Sequence, residues 1–255
     1  MRVPSATDKS HVDCSNERMK AVLLVGGLGT RLRPVVSSPP KPLASVCGRP
    51  FLELLVQQLS YQRIRQLILC TGYRAEDIEN QFGDGRKWEV AIEYSKETSP
   101  MGTAGAIKLA EPFLDNAANF LVMNGDSILE IDFRQLIQFH CTSGGIASIA
   151  VLRMQNEMRY GTAQVSGEGR VTSFTEKAAA SANGFVSAGI YVFNQRIFEH
   201  LPEGPASLER DVFPKLLDQG IYALEQRGVF IDIGTPEDYA RAQDICSQFC
   251  ETTRK

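Results

Sequence analysis

The segment Leu23-Leu24-Val25-Gly26-Gly27-Leu28-Gly29-Thr30-Arg31-Leu32-Arg33-Pro34 decides most of what the sequence indicates about the fold. An apolar run ends abruptly at Val25, three glycines follow within four residues, and two arginines come close behind. Glycine lets backbone N–H groups approach an anion closely, and arginine offers fork-shaped donors to phosphate oxygens. The pattern favours a strand that leads into a phosphate-binding loop. The alternative is an ordinary strand-to-helix turn with surface arginines.

The composition is that of an ordinary globular protein. The 255 residues suffice for one large α/β domain or two small ones, and the net charge of -3 argues against a general nucleic-acid surface. No apolar stretch is long enough to span a membrane. Six scattered cysteines without a C-x-x-C pair, together with three histidines, argue against a structural zinc site and suit a reducing cytoplasm.

Residues 1–18 are polar and lack the apolar stretch of a secretory signal, so we expect a flexible extension there. Met19 is the more natural start of the fold. Repeats, low-complexity segments and linkers are absent from the sequence, so residues 19–255 are expected to form one domain.

Apolar runs typical of strands alternate with helical patterns over the first 150 residues. Strands are expected at residues 21–25, 66–71, 90–94, 119–123 and 147–152, and helices at residues 51–62, 75–82, 103–111 and 133–141. The alternation predicts an α/β fold with a Rossmann-like, mostly parallel sheet flanked by helices. Because ligands sit beyond the carboxyl ends of such strands, the glycine loop and Gly125-Asp126 should open on the same side.

The pattern changes after residue 155 to a smaller mixed sub-region. Expected there are a hairpin (160–165 and 170–176), a strand (185–193), a helix (208–219) and two short strands (222–226 and 229–232). Thr235 is a plausible N-cap for a last helix that opens at Pro236.

Two common nucleotide-binding motifs do not match the loop. Residues 27–32 lack the third glycine of G-x-G-x-x-G, and the Gly-Lys-Ser/Thr ending of a P-loop is missing after Gly26. The prolines of Pro40-Lys41-Pro42 stiffen the backbone around Lys41, which is therefore well placed to meet the same anion. Considered alone, Lys41 is more simply a solvated lysine in a proline turn.

Two aspartates stand in or directly after apolar runs. Asp126 follows residues 120–123, and Asp232 lies within residues 230–233. Carboxylates at such places are costly unless they are paired or bound to a metal, and magnesium takes one or two protein carboxylates plus substrate phosphates. For each aspartate alone, a turn or helix cap is the alternative.

Seven segments occur in an order shared with a known family: residues 24–34, 40–43, 102–105, 124–126, 176–177, 188–191 and 231–236. They resemble the nucleotidyltransferases that join a sugar 1-phosphate to a nucleoside triphosphate. Within that family the sequence is most similar to D-glycero-D-manno-heptose 1-phosphate and mannose-1-phosphate guanylyltransferases. Val25, Ser127 and Ser187 depart from the residues usual in the family, but none of these departures removes a charge.

The resemblance implies a fold of the nucleotide-diphospho-sugar transferase type, with a nucleotide-binding part at about residues 19–155 and a sugar-binding part at about residues 156–235. It also implies a Mg²⁺-dependent cytoplasmic enzyme. A sugar-phosphate oxygen would attack the α-phosphorus of the triphosphate and expel pyrophosphate, in a site that acts mainly by positioning and electrostatics.

The resemblance further implies a role for individual residues. Catalytic roles fall to Arg31, Lys41 and Asp126, and Mg²⁺ would be held by Asp126 and Asp232. The implied nucleotide-binding residues are Leu24, Gly26, Gly27, Gly29, Thr30, Arg31, Glu97, Gly102 and Thr103. The implied sugar-phosphate ligands are Gly161, Glu176 and Lys177. Without the resemblance, Glu176-Lys177 is more simply a solvated charge pair.

Glu97 bears on the choice of base. It lies three residues before Pro100, where related uridylyl and thymidylyl enzymes carry a base-reading glutamine. An ionised glutamate only accepts hydrogen bonds, and guanine presents two adjacent donors on its pairing edge. We therefore hypothesise that GTP is the donor, with a heptose or mannose 1-phosphate as the acceptor. A solvated Glu97 is the alternative.

Competing interpretations are a uridylyl- or thymidylyltransferase of the same fold and a catalytically silent sugar-nucleotide-binding subunit. The silent subunit is disfavoured because the loop cations and both aspartates are present. A glycosyltransferase ranks last, because Asn124-Gly125-Asp126 offers one aspartate where Asp-x-Asp is expected. The expected partners are a nucleoside triphosphate and a sugar 1-phosphate, with neither nucleic acid nor membrane; a homo-oligomer is left open.

Overall fold

The computed structural model describes residues 16–36, 39–154, 161–176 and 184–252, and of residues 176 and 246–252 only the backbone. The strands are β1 (Lys20–Leu24), β2 (Ser45–Val46), β3 (Arg49–Pro50), β4 (Gln66–Thr71), β5 (Ala91–Lys96), β6 (Asn119–Asn124), β7 (Ser127–Leu129), β8 (Ala147–Arg153), β9 (Gly161–Val165), β10 (Val171–Glu176), β11 (Phe185–Asn194), β12 (Ile221–Gln226) and β13 (Phe230–Asp232). The α-helices are α1 (Phe51–Tyr61), α2 (Ala75–Phe82), α3 (Gly102–Leu109), α4 (Phe133–Ser143), α5 (Phe213–Leu216) and α6 (Pro236–Thr252).

The central sheet has the order β10-β9-β11-β6-β1-β4-β5; β8 branches from β11, and β12 pairs with β8. Strands β6, β1, β4 and β5 are parallel to one another, whereas β11 runs antiparallel to β6, β8 and β9. The predicted α/β fold with a mostly parallel sheet is confirmed for the first half of the chain. The antiparallel pairs belong to the smaller mixed region predicted for the second half.

Both faces of the sheet are covered by helices. Ala21 and Leu23 of β1 face a hydrophobic cluster to which α1, α2 and α4 contribute, whereas Val22 faces a second cluster with residues of α3 and α5. This alternation follows from the two-residue period of a strand. A strand buried on both faces explains why residues 21–25 read as a continuous apolar run.

Two predicted elements differ from the structure in detail. The single helix expected at residues 208–219 consists of a π-helical turn (Leu208–Val212), α5 and a 3₁₀ turn (Leu217–Gln219). Pro214 lies within this stretch and has no N–H for the helical hydrogen-bond ladder. The expected helix at residues 103–111 is α3, which ends at Leu109 and is followed by a 3₁₀ turn containing Pro112.

Two other predictions agree with the structure. Strands β9 and β10 form the expected antiparallel hairpin, closed by a hydrogen bond of 2.8 Å from the N–H of Ser166 to the carbonyl of Arg170. Thr235 caps α6, because its Oγ1 accepts from the N–H of Asp238 at 3.2 Å.

The cysteines depart from the expectation of a reducing compartment. Cys47 and Cys141 are disulfide-bonded, whereas Cys70 is free and buried. Of the predicted N-terminal extension, Asn16–Arg18 form one helical turn, and the residues before it lie outside the described part of the chain. In the described segments we find no helix that is both long and apolar enough to cross a bilayer.

Candidate active site

The carboxyl ends of β1 and β6 place the glycine loop beside Asp126. The two strands are parallel neighbours with Leu24 opposite Asn124, and Gly125 donates its N–H to the carbonyl of Leu24 at 3.0 Å. A side chain at Gly125 has no room, since its Cβ would lie 2.6 Å from that carbonyl oxygen. The loop and Gly125-Asp126 therefore open on the same side, as the sequence predicts.

The glycine loop is held at both ends and open in between. Val25 donates to the carbonyl of Cys70 at 3.0 Å, the carbonyl of Gly26 accepts from Tyr73 at 3.2 Å, and Leu32 is buried. Within the described ranges, nothing accepts a hydrogen bond from the backbone N–H groups of residues 27–30. Such exposed donors on a fixed loop are suited to an anion.

Strand β13 brings Asp232 next to Asp126. It pairs with β7, so that Asp232 lies opposite Ser127, and Ile233 donates its N–H to the backbone carbonyl of Asp126 at 2.9 Å. Lys41 donates from Nζ to Oδ2 of Asp126 at 2.5 Å. The structure thus unites three charged residues that the sequence separates by almost two hundred positions.

This cluster contains two carboxyl groups but only one ammonium group. Burial, and then the neighbouring Asp126 carboxylate, raise the pKa of Asp232 to about 7. Lys41 and the N–H of Gly234 act in the opposite direction without compensating for them. Two carboxylates that share one ammonium group form a site where further positive charge is favourable.

Glu97 forms part of the wall of the cleft rather than projecting into solvent. Its Oε2 accepts from the N–H of Met101 at 3.1 Å, and a Cβ at Gly26 would lie 2.5 Å from its Oε1. Burial raises the pKa of Glu97, and the hydrogen bond from Met101 opposes the rise. Glu97 therefore lines the cleft, and its role in base recognition stays a prediction.

Two adjoining cavities are lined by the residues of this site. The first, of about 440 Å³, is lined by the glycine loop, Glu97 and the start of α3. The second, of about 260 Å³, is lined by Gly161, residues of β11 and Asp232. Both cavities share Arg31, Thr103, Asn124, Asp126 and Gly234. All of the predicted nucleotide-binding residues line the first cavity.

The predicted sugar-phosphate ligands are only partly described. Gly161 lines the second cavity, and Glu176 pairs with it across the hairpin as the last residue of β10. The side chain of Glu176 and the whole of Lys177 lie outside the described part of the chain. Their predicted roles stay predictions.

The second cavity contains a hydrogen-bonded set of polar side chains for which the sequence predicted no role. Tyr191 donates to Oε1 of Glu209 at 2.7 Å, and its oxygen lies 3.2 Å from Oγ of Ser187. Burial, and then the Glu209 carboxylate, raise the pKa of Tyr191 well above its usual range. Ser187 and Tyr191 lie an even number of residues apart on one apolar strand, and this periodicity is the signal that could have found them.

The glycine loop, the paired aspartates and the adjoining polar cavity lie together at one edge of an α/β sheet. The chain belongs to the Nucleotidyl transferase family, which it matches over residues 20–248.

Similar proteins come from several lineages. Over 223 residues the chain is 37% identical to mannose-1-phosphate guanylyltransferase catalytic subunit beta of Drosophila melanogaster, covering 86% of this chain and 60% of that protein. Over 231 residues it is 36% identical to mannose-1-phosphate guanylyltransferase of Mycobacterium tuberculosis, covering 89% and 64%. The chain thus spans about three fifths of the length of these curated relatives. The crystal structure of HddC from Yersinia pseudotuberculosis complexed with GMP-PN superposes with a TM-score of 0.79 at 32% identity, covering 89% of this chain and 98% of HddC.

Proposed function

We propose that this chain transfers a guanylyl group from GTP to a sugar 1-phosphate and releases pyrophosphate. The observation that carries the proposal is the shared wall of the two cavities, where Arg31 and Asp126 contact both. A phosphate oxygen of the sugar 1-phosphate would form a bond to the α-phosphorus of GTP. The bond from that phosphorus to the bridging oxygen would break, and pyrophosphate would carry away the electron pair.

The cations and the loop account for the positioning of the triphosphate. The free N–H groups of residues 27–30 suit the phosphate chain, and Arg31, exposed at the end of the loop, suits the departing β- and γ-phosphates. Lys41 lies deeper, its side chain 11% exposed, beside Asp126. A fixed ammonium group there stabilises the charge that develops around the α-phosphorus.

The two aspartates fit a divalent cation. Asp126 and Asp232 offer two neighbouring carboxyl groups, and burial, followed by the Asp126 carboxylate, raises the pKa of Asp232. The described residues contain no cluster of three or more metal-ligating side chains, so substrate phosphates and water would complete the shell. A magnesium ion held there would supply charge neutralisation between the two polyanions.

Glu97 supports guanine as the base. Its carboxylate lines the first cavity, and its orientation is fixed by the bond from Met101. An ionised carboxylate accepts from the two adjacent donors of guanine, whereas uracil and thymine offer one donor flanked by acceptors. The guanylyltransferase names of the similar proteins point in the same direction.

The second cavity suits the sugar 1-phosphate. The carboxylate of Glu209 and the hydroxyl of Tyr191 can bind sugar hydroxyls, and Gly161 lines the same cavity. We propose mannose or heptose 1-phosphate as the acceptor, with Glu176 and Lys177 in the roles implied by the family resemblance. We also propose the predicted division into a nucleotide part (19–155) and a sugar part (156–235).

Product analysis tests the proposal. The protein, GTP, mannose 1-phosphate and Mg²⁺ should yield a compound with the mass of a guanosine diphosphate sugar, and omission of any component should prevent its formation. Binding of GTP without any product from mannose or heptose 1-phosphate would contradict the proposed activity.

A further inference from the structure

Thr103 belongs to both cavities at once. Its backbone lies in the first turn of α3, directly after Gly102, at the edge of the nucleotide cavity. Its hydroxyl faces the other way: Oγ1 accepts from the N–H of Leu208 at 2.7 Å and donates to Oε2 of Glu209 at 3.3 Å. A single side chain therefore joins the proposed nucleotide and sugar sites.

The backbone around Thr103 is also bonded to the segment that precedes Glu209. Ala206 donates its N–H to the carbonyl of Met101, and the carbonyl of Ala206 accepts from Ala104, each at 2.9 Å. The two segments approach so closely that a Cβ at Gly102 would lie 2.5 Å from the oxygen of Ala206. Because Met101 also donates to Glu97, hydrogen bonds run from the base-facing carboxylate to the sugar cavity.

Glu209 is oriented by three donors of different origin. Tyr191 and Ser207 donate at 2.7 and 3.1 Å from within the sugar-binding part of the chain. Thr103 is the third donor, and it lies in the segment that lines the nucleotide cavity.

We propose that Thr103 is a positioning residue that makes nucleotide binding strengthen the binding of the sugar 1-phosphate. This inference rests on the proposed function. A nucleotide in the first cavity would immobilise the start of α3 and so fix the hydroxyl that holds Glu209 and the N–H of Leu208. The sugar phosphate then enters a pocket that is already ordered. A first ligand that orders a site lowers the entropic cost of binding the second ligand. By linkage, the sugar phosphate strengthens nucleotide binding by the same factor.

Calorimetric titrations with mannose 1-phosphate in Mg²⁺ test the coupling. They are run with and without saturating α,β-methylene GTP, an analogue that cannot release pyrophosphate. We expect the analogue to tighten sugar-phosphate binding by roughly fivefold or more in the wild type, and by less than about twofold in Thr103→Val, which has no hydroxyl. Thr103→Ser should restore the wild-type factor.

Thr71→Val is the matched control. Thr71 is buried at the end of β4, and its hydroxyl has no hydrogen-bond partner in the part of the chain that the structure describes. Thr71→Val removes a threonine hydroxyl without breaking a hydrogen bond. The analogue should therefore tighten sugar-phosphate binding by the same factor as in the wild type. Thermal unfolding of each variant shows whether it is folded.

Hydrogen exchange of the wild-type protein provides a test without any substitution. The N–H of Leu208 donates to Oγ1 of Thr103, and among the described residues Leu208 is not part of the nucleotide-cavity lining. The GTP analogue alone should slow exchange of this amide, and unchanged exchange would overturn the inference.

The outcomes separate the two claims. A wild-type protein that binds neither the analogue nor the sugar phosphate contradicts the proposed function. If both ligands bind but Thr103→Val couples them as strongly as the wild type does, the positioning role of Thr103 is wrong and the proposed function stands.

Discussion

Lys41 and Asp126 form an ion pair of 2.5 Å. Pro40 and Pro42 flank the lysine, and residues Lys41–Leu43 form a single helical turn that fixes its direction. The backbone on either side and the Asp126 carboxylate therefore hold the ammonium group in one position. A charge that needs no reorganisation during the reaction is the kind of group that stabilises a transition state efficiently.

Asp126→Asn should lower turnover by roughly 10²-fold or more, because it removes a proposed metal ligand and the partner of Lys41. The isosteric amide keeps the volume, so the protein should stay folded. Pyrophosphate release and thermal unfolding measure the two effects separately. Wild-type turnover by this variant would refute the role of Asp126.

Glu97→Gln should reduce the preference for GTP over UTP. Loss of a charged acceptor to guanine corresponds to about 1.5–3 kcal/mol, or roughly ten- to a hundredfold in the ratio of kcat/KM values. Glu93→Gln is the control, because it makes the same charge change at an exposed site on β5, the strand that Glu97 follows. An unaltered ratio in the Glu97 variant would remove Glu97 from base recognition.

Gly26→Ala should raise the KM for GTP by roughly tenfold, because its Cβ would lie 2.5 Å from Oε1 of Glu97 and displace that carboxylate. Gly27→Ala is the comparison, since nothing lies within 4 Å of the Cβ it would add. Its effect on KM should be much smaller. Equal effects would mean that the loop needs glycine for another reason than space beside Glu97.

His140 should make the protein less stable in mild acid. Burial lowers its pKa to about 4 from 6.5, and the neutral ring is bonded to Ser148 and Asn119. Since the unfolded chain binds the proton more readily, stability falls as the pH drops from about 6.5 towards 4, by about 3 kcal/mol in total.

Urea unfolding at pH 7 and pH 4 measures this loss. His140→Gln should lose about 3 kcal/mol less than the wild type between the two values. His200→Gln, at an exposed position, is the control and should behave as the wild type does. A variant at position 140 with the wild-type pH dependence would show that this histidine is not the cause.

Much of the site was predictable because its parts stand at strand ends. The glycines after Val25 and the aspartate after β6 could be placed at one edge, since the carboxyl ends of parallel strands meet there. The approach of Asp232 could not be derived from spacing. It depends on the two-stranded pairing of β13 with β7, a long-range contact without a local signal.

Glu209 shows where sequence reasoning reached its limit. Its orientation depends on three donors, two of which, Thr103 and Tyr191, come from other elements. The helix in which it was expected to lie begins as a π-helical turn instead. Hydrogen-bond networks of this kind are set by tertiary packing and leave no periodic trace in the sequence.

Pyrophosphate release is the most direct measurement of the central claim. The purified protein is supplied with Mg²⁺ and each pairing of GTP, ATP, UTP, CTP or dTTP with mannose, heptose or glucose 1-phosphate. We predict release that requires both substrates and is fastest with GTP and mannose or heptose 1-phosphate. Fastest release with UTP or dTTP would contradict the guanylyl assignment, and no release with any pair would contradict nucleotidyl transfer itself.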